Sequence, residues 1–316
     1  MIRLAAAEHF AGPPGWTWYI LFYFFFAGLS GGSYVIASLF RLRGEASDAQ
    51  VARLGYYTAF VALLPCPVML ILDLGSPLRF WHMLWNTTPD AAGLNFKWWS
   101  PMSLGSWALL VFGAFATVSF VDALVRDGRL RWGWVARLLG GVFGKLVALV
   151  GTLFALFIAG YTGVLLAVSN QPVWSDTWAL GGLFLASGMS GSAALLLFLV
   201  RYRTSAEPGT GPLIVSERLY ALLELALIVI FVLTLIPAGT LNLAFGFPWF
   251  LLWLVTLVGL APGIGGLITQ RLAVTPEGVA VPVEPTASAR ALATSGLVLL
   301  GVFALRAAVI FSAQLR

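Results

Sequence analysis

Charge is what this sequence has least of. Asp, Glu, Lys and Arg make up 10% of its 316 residues, against 60% hydrophobic residues. A soluble domain carries about 25% charged residues, so a water-soluble globule is excluded and an integral membrane protein is implied. Cysteine is nearly absent: Cys66 stands alone between two prolines, which excludes disulfides, a cysteine zinc site and a cysteine-ligated iron–sulfur cluster. The only histidines are His9 and His82. A membrane haem b asks for an axial pair inside the bundle, and His9 precedes the first apolar run, so neither haem nor another metal is expected. The net charge of +5 is accounted for by arginines flanking apolar runs and points to no nucleic acid. No phosphate loop, Rossmann fingerprint, zinc-protease motif or Ser-His-Asp order stands out.

What the chain does have is long apolar runs. They fall near 16–42, 52–73, 101–125, 136–168, 178–200, 217–237, 247–269 and 290–313, each long enough for the roughly 20 residues a bilayer demands of a helix. β-barrel strands would be half that length and alternating. The expectation is therefore an all-α fold of about eight transmembrane helices, a single membrane domain over 1–316. The 34 Gly and 16 Pro fit, since both are commoner in membrane helices than in soluble ones. Residues 1–15 lack the basic start, apolar core and small-residue site of a cleaved signal. Ala27-Gly28-Leu29-Ser30-Gly31-Gly32-Ser33 is echoed by Ser187-Gly188-Met189-Ser190-Gly191-Ser192-Ala193. That echo predicts two parallel four-helix halves, 16–168 and 178–313. Convergent small-residue packing of the GxxxG kind is the plainer explanation of the same pattern.

Twelve of the 18 lysines and arginines fall in alternate loops: Arg41, Arg43 and Arg53; Arg126, Arg129, Arg131 and Arg137; Arg201, Arg203 and Arg218; Arg271 and Arg290. The opposite side has Arg3, Arg79, Lys97 and Arg316. The positive-inside rule puts the twelve in the cytoplasm. Both termini then face outward, in a multi-pass protein of a bacterial or archaeal cytoplasmic membrane, along with the stretch Leu72–Trp107. Trp16, Trp18, Trp174, Trp178, Trp249 and Trp253 would mark the outer interface, with Trp132 and Trp134 at the inner one.

Leu72–Trp107 gathers scarce residue types around Gly and Pro turns and reads as a polar, aromatic cap on the bundle. Ionisable residues at membrane depth are functional candidates by default. Asp73 ends the second span, and Arg79 and His82 follow six and nine residues later, past a Gly and a Pro that let the chain turn. The bland reading is an Asp73–Arg79 ion pair pinning the cap; the sharper one adds His82 as a proton donor or acceptor. Tyr23 and Tyr161 fall at similar depth in the first and fourth spans, each as an interface anchor or as a hydroxyl for a bound carbonyl. Lys145 and Glu224 both lie in the cytoplasmic halves of their spans. They are predicted either to pair directly or to serve as steps of a proton path. A second functional class follows from the same pair: a secondary transporter or proton-translocating module. Arg306, in the last span, is expected to meet backbone carbonyls.

Asp73-Leu74-Gly75-Ser76-Pro77-Leu78-Arg79-Phe80-Trp81-His82 resembles the second-span signature of the NrfD/PsrC family, the membrane subunits of polysulfide reductase and its relatives. Ser100-Pro101-Met102-Ser103-Leu104-Gly105-Ser106-Trp107 is similar to that family's next motif. Tyr161-Thr162-Gly163-Val164-Leu165-Leu166-Ala167 with Pro172-Val173-Trp174, and Leu305-Arg306 through Gln314, resemble its fourth and last helices. The resemblance implies an eight-helix subunit with no cofactor of its own. It implies an iron–sulfur (ferredoxin-like) subunit and a molybdopterin catalytic subunit docked on the outer face, and exchange of electrons with menaquinone or ubiquinone. It assigns the quinone a place near the outer surface, with Tyr161 matching the family's fourth-helix tyrosine. The first-helix histidine and asparagine of the family fall at Tyr23 and Ile20, where this chain departs. The expected quinone site is thus Tyr23, Asp73, Arg79, His82 and Tyr161.

Overall fold

The structure, a computed structural model, describes residues 9, 12–90, 92–203, 210–268, 272–274, 280–282 and 289–314. It is all-α and membrane-spanning. Eight helical segments are long and apolar enough to cross a bilayer, from Trp18–Arg43 to Leu292–Gln314. The helices are α1 (Trp18–Arg43), α2 (Ala49–Leu63), α3 (Pro65–Asp73), α4 (Pro101–Arg126), α5 (Gly133–Leu138), α6 (Val142–Ala167), α7 (Leu180–Arg203), α8 (Thr210–Ala238), α9 (Leu241–Phe245), α10 (Trp249–Ile268) and α11 (Ala289–Gln314). Arg3, Arg271 and Arg316, with parts of the connectors around 204–209 and 275–288, lie outside the described residues.

Two expected spans are divided. The second is α2 and α3 in line. Pro65 and Pro67 supply no N–H, so the hydrogen-bond ladder breaks at Leu64 while its backbone stays helical (φ −56°, ψ −41°). The fourth, expected over 136–168, splits at Gly140-Gly141 into the short α5 and the long α6. Local chemistry sets other ends. Gly44 closes α1 in the left-handed region (φ 75°), its N–H on the Phe40 carbonyl. Ser100 caps α4, its Oγ accepting from the Ser103 N–H, with Pro101 in the first turn.

The bundle is centred on α1, which packs on α2, α3, α6 and α7, while α7 in turn packs on α6, α8 and α11. The two echoing segments meet there, face to face. A Cβ on Gly188 would lie 3.1 Å from the Gly28 Cα, and one on Gly28 would lie 3.4 Å from the Gly188 Cα. Ser192 Oγ donates across the contact to the Leu29 carbonyl (3.0 Å). Small residues let the backbones approach until dispersion and such hydrogen bonds hold them, the usual means of helix association in lipid. A second close crossing, Gly259 against Gly301, joins α10 and α11.

Candidate functional site

Tyr23 lies five residues into α1 and Tyr161 near the end of α6; both are buried. Their phenols are close enough to act on each other electrostatically, with the Cys66 thiol of α3 alongside. Asp73 is seven residues beyond Cys66 on the same helix, so it stands two turns above, nearer the cap. Tyr161 donates a 2.6 Å hydrogen bond to the Pro101 carbonyl at the start of α4. Its ring fills the space that a Cβ on Gly105 would take. Phe157 stacks on it from below (5.4 Å between centroids, 20° between planes).

An open apolar cleft of about 540 Å³ lies against this group, between α4 and α6. Leu104, Trp107, Ala108 and Val111 form one wall, Phe154 and Phe157 the other, and Leu94 and Phe96 the roof. Tyr161 is stacked on Phe157, which lines the cleft.

The roof belongs to the cap. Gly75 turns the chain in the left-handed region (φ 69°), Pro77 opens a 3₁₀ helix over Pro77–Met83, and a short ribbon follows. In it β1 (Trp85–Asn86) pairs antiparallel with β2 (Gly93–Leu94), Trp85 opposite Leu94. Asn95 ties the parts together. Its N–H reaches the Leu84 carbonyl (2.9 Å) and its Nδ2 the His82 carbonyl (2.9 Å). Its own carbonyl accepts from Ser103 Oγ (3.3 Å) and Trp107 Nε1 (3.1 Å).

The expected residues are therefore only partly assembled. Tyr23 and Tyr161 are neighbours. Arg79 forms no ion pair with Asp73 among the described residues. The turn at Gly75 and the 3₁₀ helix carry Arg79 onto the exposed cap surface. His82 packs edge-on against Trp81 (4.1 Å, 74°) and hydrogen-bonds neither tyrosine. Lys145 and Glu224 do not pair either. Lys145 is exposed on α6, and α6 and α8 both pack against α7. Glu224 instead shares a buried cluster with Ser187, Ser190 and Arg306, and its Oε2 and the Ser190 Oγ have no hydrogen-bond partner among the described residues. Arg306, fully buried, donates to the Phe24, Phe184 and Val302 carbonyls (3.2, 3.1 and 3.1 Å) and to Ser187 Oγ (2.9 Å).

Sequence reasoning missed Asn95, Cys66 and the aromatic cleft wall. Asn95 carried a faint signal, as a lone amide between a Gly turn and a tryptophan-rich helix start. Phe154 and Phe157 look like any lipid-facing phenylalanine. On the far side of the same end, Asp176 accepts from the Val173 N–H and Thr240 Oγ1 (2.8 Å each), with His9 Nε2 2.8 Å away. Gln171 Nε2 donates to the Gly12 carbonyl (3.0 Å). These contacts tie the loop after α6 to the N-terminal segment and to the start of α9. No group of three or more His, Cys, Asp or Glu able to hold a metal exists among the described residues.

A polytopic helical bundle with an aromatic cap and a lipid-depth cleft beside a buried tyrosine pair defines the class. The chain belongs to the NrfD family, described as "Polysulphide reductase, NrfD", which matches residues 8–316. It is similar to a selenate reductase subunit of Mesobacillus selenatarsenatis, 33% identical over 24% of this chain and 18% of the relative. It is also similar to a polysulfide reductase polypeptide of Wolinella succinogenes, 27% identical over 60% of each sequence. Protein NrfD of Escherichia coli is 23% identical over 61% of this chain and 62% of that one. The matched stretches thus span less than two thirds of each of these relatives.

Proposed function

We propose that this chain is the membrane subunit of a multisubunit respiratory oxidoreductase and that it passes electrons between membrane quinone, menaquinone or ubiquinone, and an iron–sulfur partner. The observation that carries the reading is the cleft of about 540 Å³ with Phe157 in its wall and Tyr161 stacked on that ring. Its lining is apolar, as an isoprenoid tail and a ring edge require. The Tyr161 hydroxyl is a donor that can turn from the Pro101 carbonyl to a quinone carbonyl. Tyr23 lies beside it at the same depth. A quinol that gives up two electrons must also release two protons. Asp73, two turns nearer the cap, and His82, on the cap, are the acceptors this reading assigns, with Arg79 holding positive potential above them.

The reading places the quinone site in the first of two four-helix halves, 16–168, and faces the cap outward. Leu78, Phe80, Trp81, Trp85, Trp98 and Trp99 are large apolar side chains exposed on that cap. Contiguous apolar surface of this kind marks an interface. We assign it to the iron–sulfur subunit, which would relay electrons to a molybdopterin catalytic subunit. The relatives from Wolinella and Mesobacillus, both named as parts of reductases, support a partner complex. Glu224 is the proton-path residue that the reading retains, because its buried carboxylate has an oxygen to spare beside Ser190.

The test is Tyr161→Phe in the assembled complex. Loss of one donor to a developing oxyanion lowers turnover by about 10²-fold. Quinol-coupled turnover should fall toward that extent while the partner subunits stay bound. Unchanged turnover with intact assembly removes Tyr161 from the site.

A further inference from the structure

At the arginine-rich end, the acidic side chains are already engaged. Arg41 Nη1 and Arg126 Nε lie 2.8 and 2.9 Å from Asp122 Oδ2. Arg53 and Arg129 meet Asp127 at 2.6 and 3.9 Å. Arg43 takes Glu45 at 2.6 Å and Asp48 at 3.3 Å. Arg131, Arg137 and Lys145, all on the surface, have no acidic partner among the described residues. Trp132 and Trp134, close to the two arginines in the chain, are half exposed, and their indole N–H groups meet no protein acceptor among the described residues.

The chain between Arg137 and Lys145 is pinned at one carbonyl. The Leu139 carbonyl takes hydrogen bonds from Arg41 Nη2 (2.7 Å) and Arg126 Nη2 (3.4 Å). The same carbonyl lies against Gly144, where a Cβ would collide with it. Arg137 stands two residues before Leu139 and Lys145 one residue after Gly144, so the two cations flank this contact, while α5 itself packs on α4. Lys145 is three residues after Val142 and four before Leu149, so it shares their exposed stripe, with Leu146 next to it. A lysine on a lipid-facing stripe one turn from the end directs its ammonium back to the interface. An exposed apolar stripe from Val142 to Leu149, with three surface cations and two exposed indoles between residues 131 and 145, offers the chemistry that complements a phosphate with acyl chains attached.

We propose that residues 131–149 form a binding site for an anionic phospholipid. Its headgroup phosphate is held by Arg131, Arg137 and Lys145, and an acyl tail lies along Val142, Leu146 and Leu149. Lys145 is then a lipid ligand and has no part in a proton path. The site stands at the opposite end of the bundle from the quinone cleft and does not depend on that reading.

The experiment is native mass spectrometry of the detergent-solubilised protein titrated with phosphatidylglycerol or with phosphatidylcholine of the same acyl chains. Basic residues near an anionic surface contribute additively, so three of them should give phosphatidylglycerol a preference of at least about tenfold. The variant carrying Arg131→Gln, Arg137→Gln and Lys145→Gln should lose that preference, and Lys97→Gln, at the cap end, should keep it. Millimolar inorganic phosphate should not displace the lipid. Equal retention of the two lipids, a preference that survives the triple variant, or displacement by free phosphate overturns the proposal. Should the triple variant not fold, Lys145→Gln alone decides it: a reduced preference supports the site, an unchanged one refutes it.

Discussion

Arg306 shows how one side chain can hold three helices. It is fully buried, and its guanidinium reaches carbonyls of α1 and α7 as well as its own helix. Glu224 acts on it electrostatically, with no ion pair between them among the described residues. Hydrogen bonds to a charged group are worth about 1.5–3 kcal/mol each. Arg306→Met should therefore lower stability by that order, measured as the thermal transition in detergent. Glu224→Gln, which keeps shape and removes charge, should cost far less. In the double variant the cost of Arg306→Met should shrink, because the carboxylate that acts on the guanidinium is gone. Additive losses would show that the two groups do not sense each other. Gly105 supports Tyr161 in a similar one-residue manner. Gly105→Ala puts a methyl where the ring lies, an overpacking worth about 1–3 kcal/mol. It should slow quinol turnover at unchanged subunit stoichiometry, because the hydroxyl loses its position. Full turnover in that variant would mean the ring can move without consequence.

Among elements, the crossing of α1 and α7 carries the most. A Cβ on Gly188 meets the backbone of Gly28 at 3.1 Å, and backbone cannot give way as a flexible side chain can. Gly188→Val should prevent accumulation of folded protein, whereas Gly182→Val, whose nearest neighbours are the methyl ends of Leu227 at 3.4 and 3.6 Å, should be tolerated. Expression tagged to fluorescence on a sizing column separates the two outcomes; equal yields would show that the crossing can spread at little cost. This contact was within reach of the sequence, because hydropathy and small-residue spacing are written along a single helix. The eight spans were legible for the same reason. The breaks at Pro65 and at Gly140-Gly141 carried their chemistry in plain view, yet a continuous apolar run hides them. Relations between helices were not legible. Asp73–Arg79 and Lys145–Glu224 are complementary pairs on paper. Nothing in either helix's own sequence says that α7 stands between α6 and α8, or that a glycine turn carries Arg79 away. The cleft eluded the sequence for a related reason: it is made by what α4 and α6 leave open, and a void has no residue type. Tyr161, by contrast, stood out as a candidate because Gly160 and Gly163 flank its phenol and leave the wall beside the ring open.

At the scale of the whole molecule, the two described ends of the polypeptide and the cap lie together. The Trp16 N–H donates to Gln314 Oε1 (3.1 Å), and Tyr23, one and a half turns into α1, sits below Asp73 and the cap. The far end carries Arg41, Arg43, Arg53, Arg126 and Arg129 with their acidic partners. Acidic residues contribute little to topology, so those salt bridges do not cancel the bias; the cations alone set which end stays in the cytoplasm. Arg131, Arg137 and Lys145 add to the same end. The expected arrangement therefore has both termini and the cap on the non-cytoplasmic side. Alkaline phosphatase fused after Arg316 should be active and a green fluorescent protein fused there should be dark, with the reverse for fusions at Gly128, in the arginine-bearing loop after α4. Eight crossings also require a fusion after Leu94, in the cap, to match the C-terminal one. A bright fluorescent C-terminal fusion would turn the molecule over, put the aromatic cap in the cytoplasm and require the partner proposed for it to be a cytoplasmic protein. It would leave the cleft, the tyrosine pair and their depth in the bilayer unchanged, so the quinone reading and the orientation can fail separately.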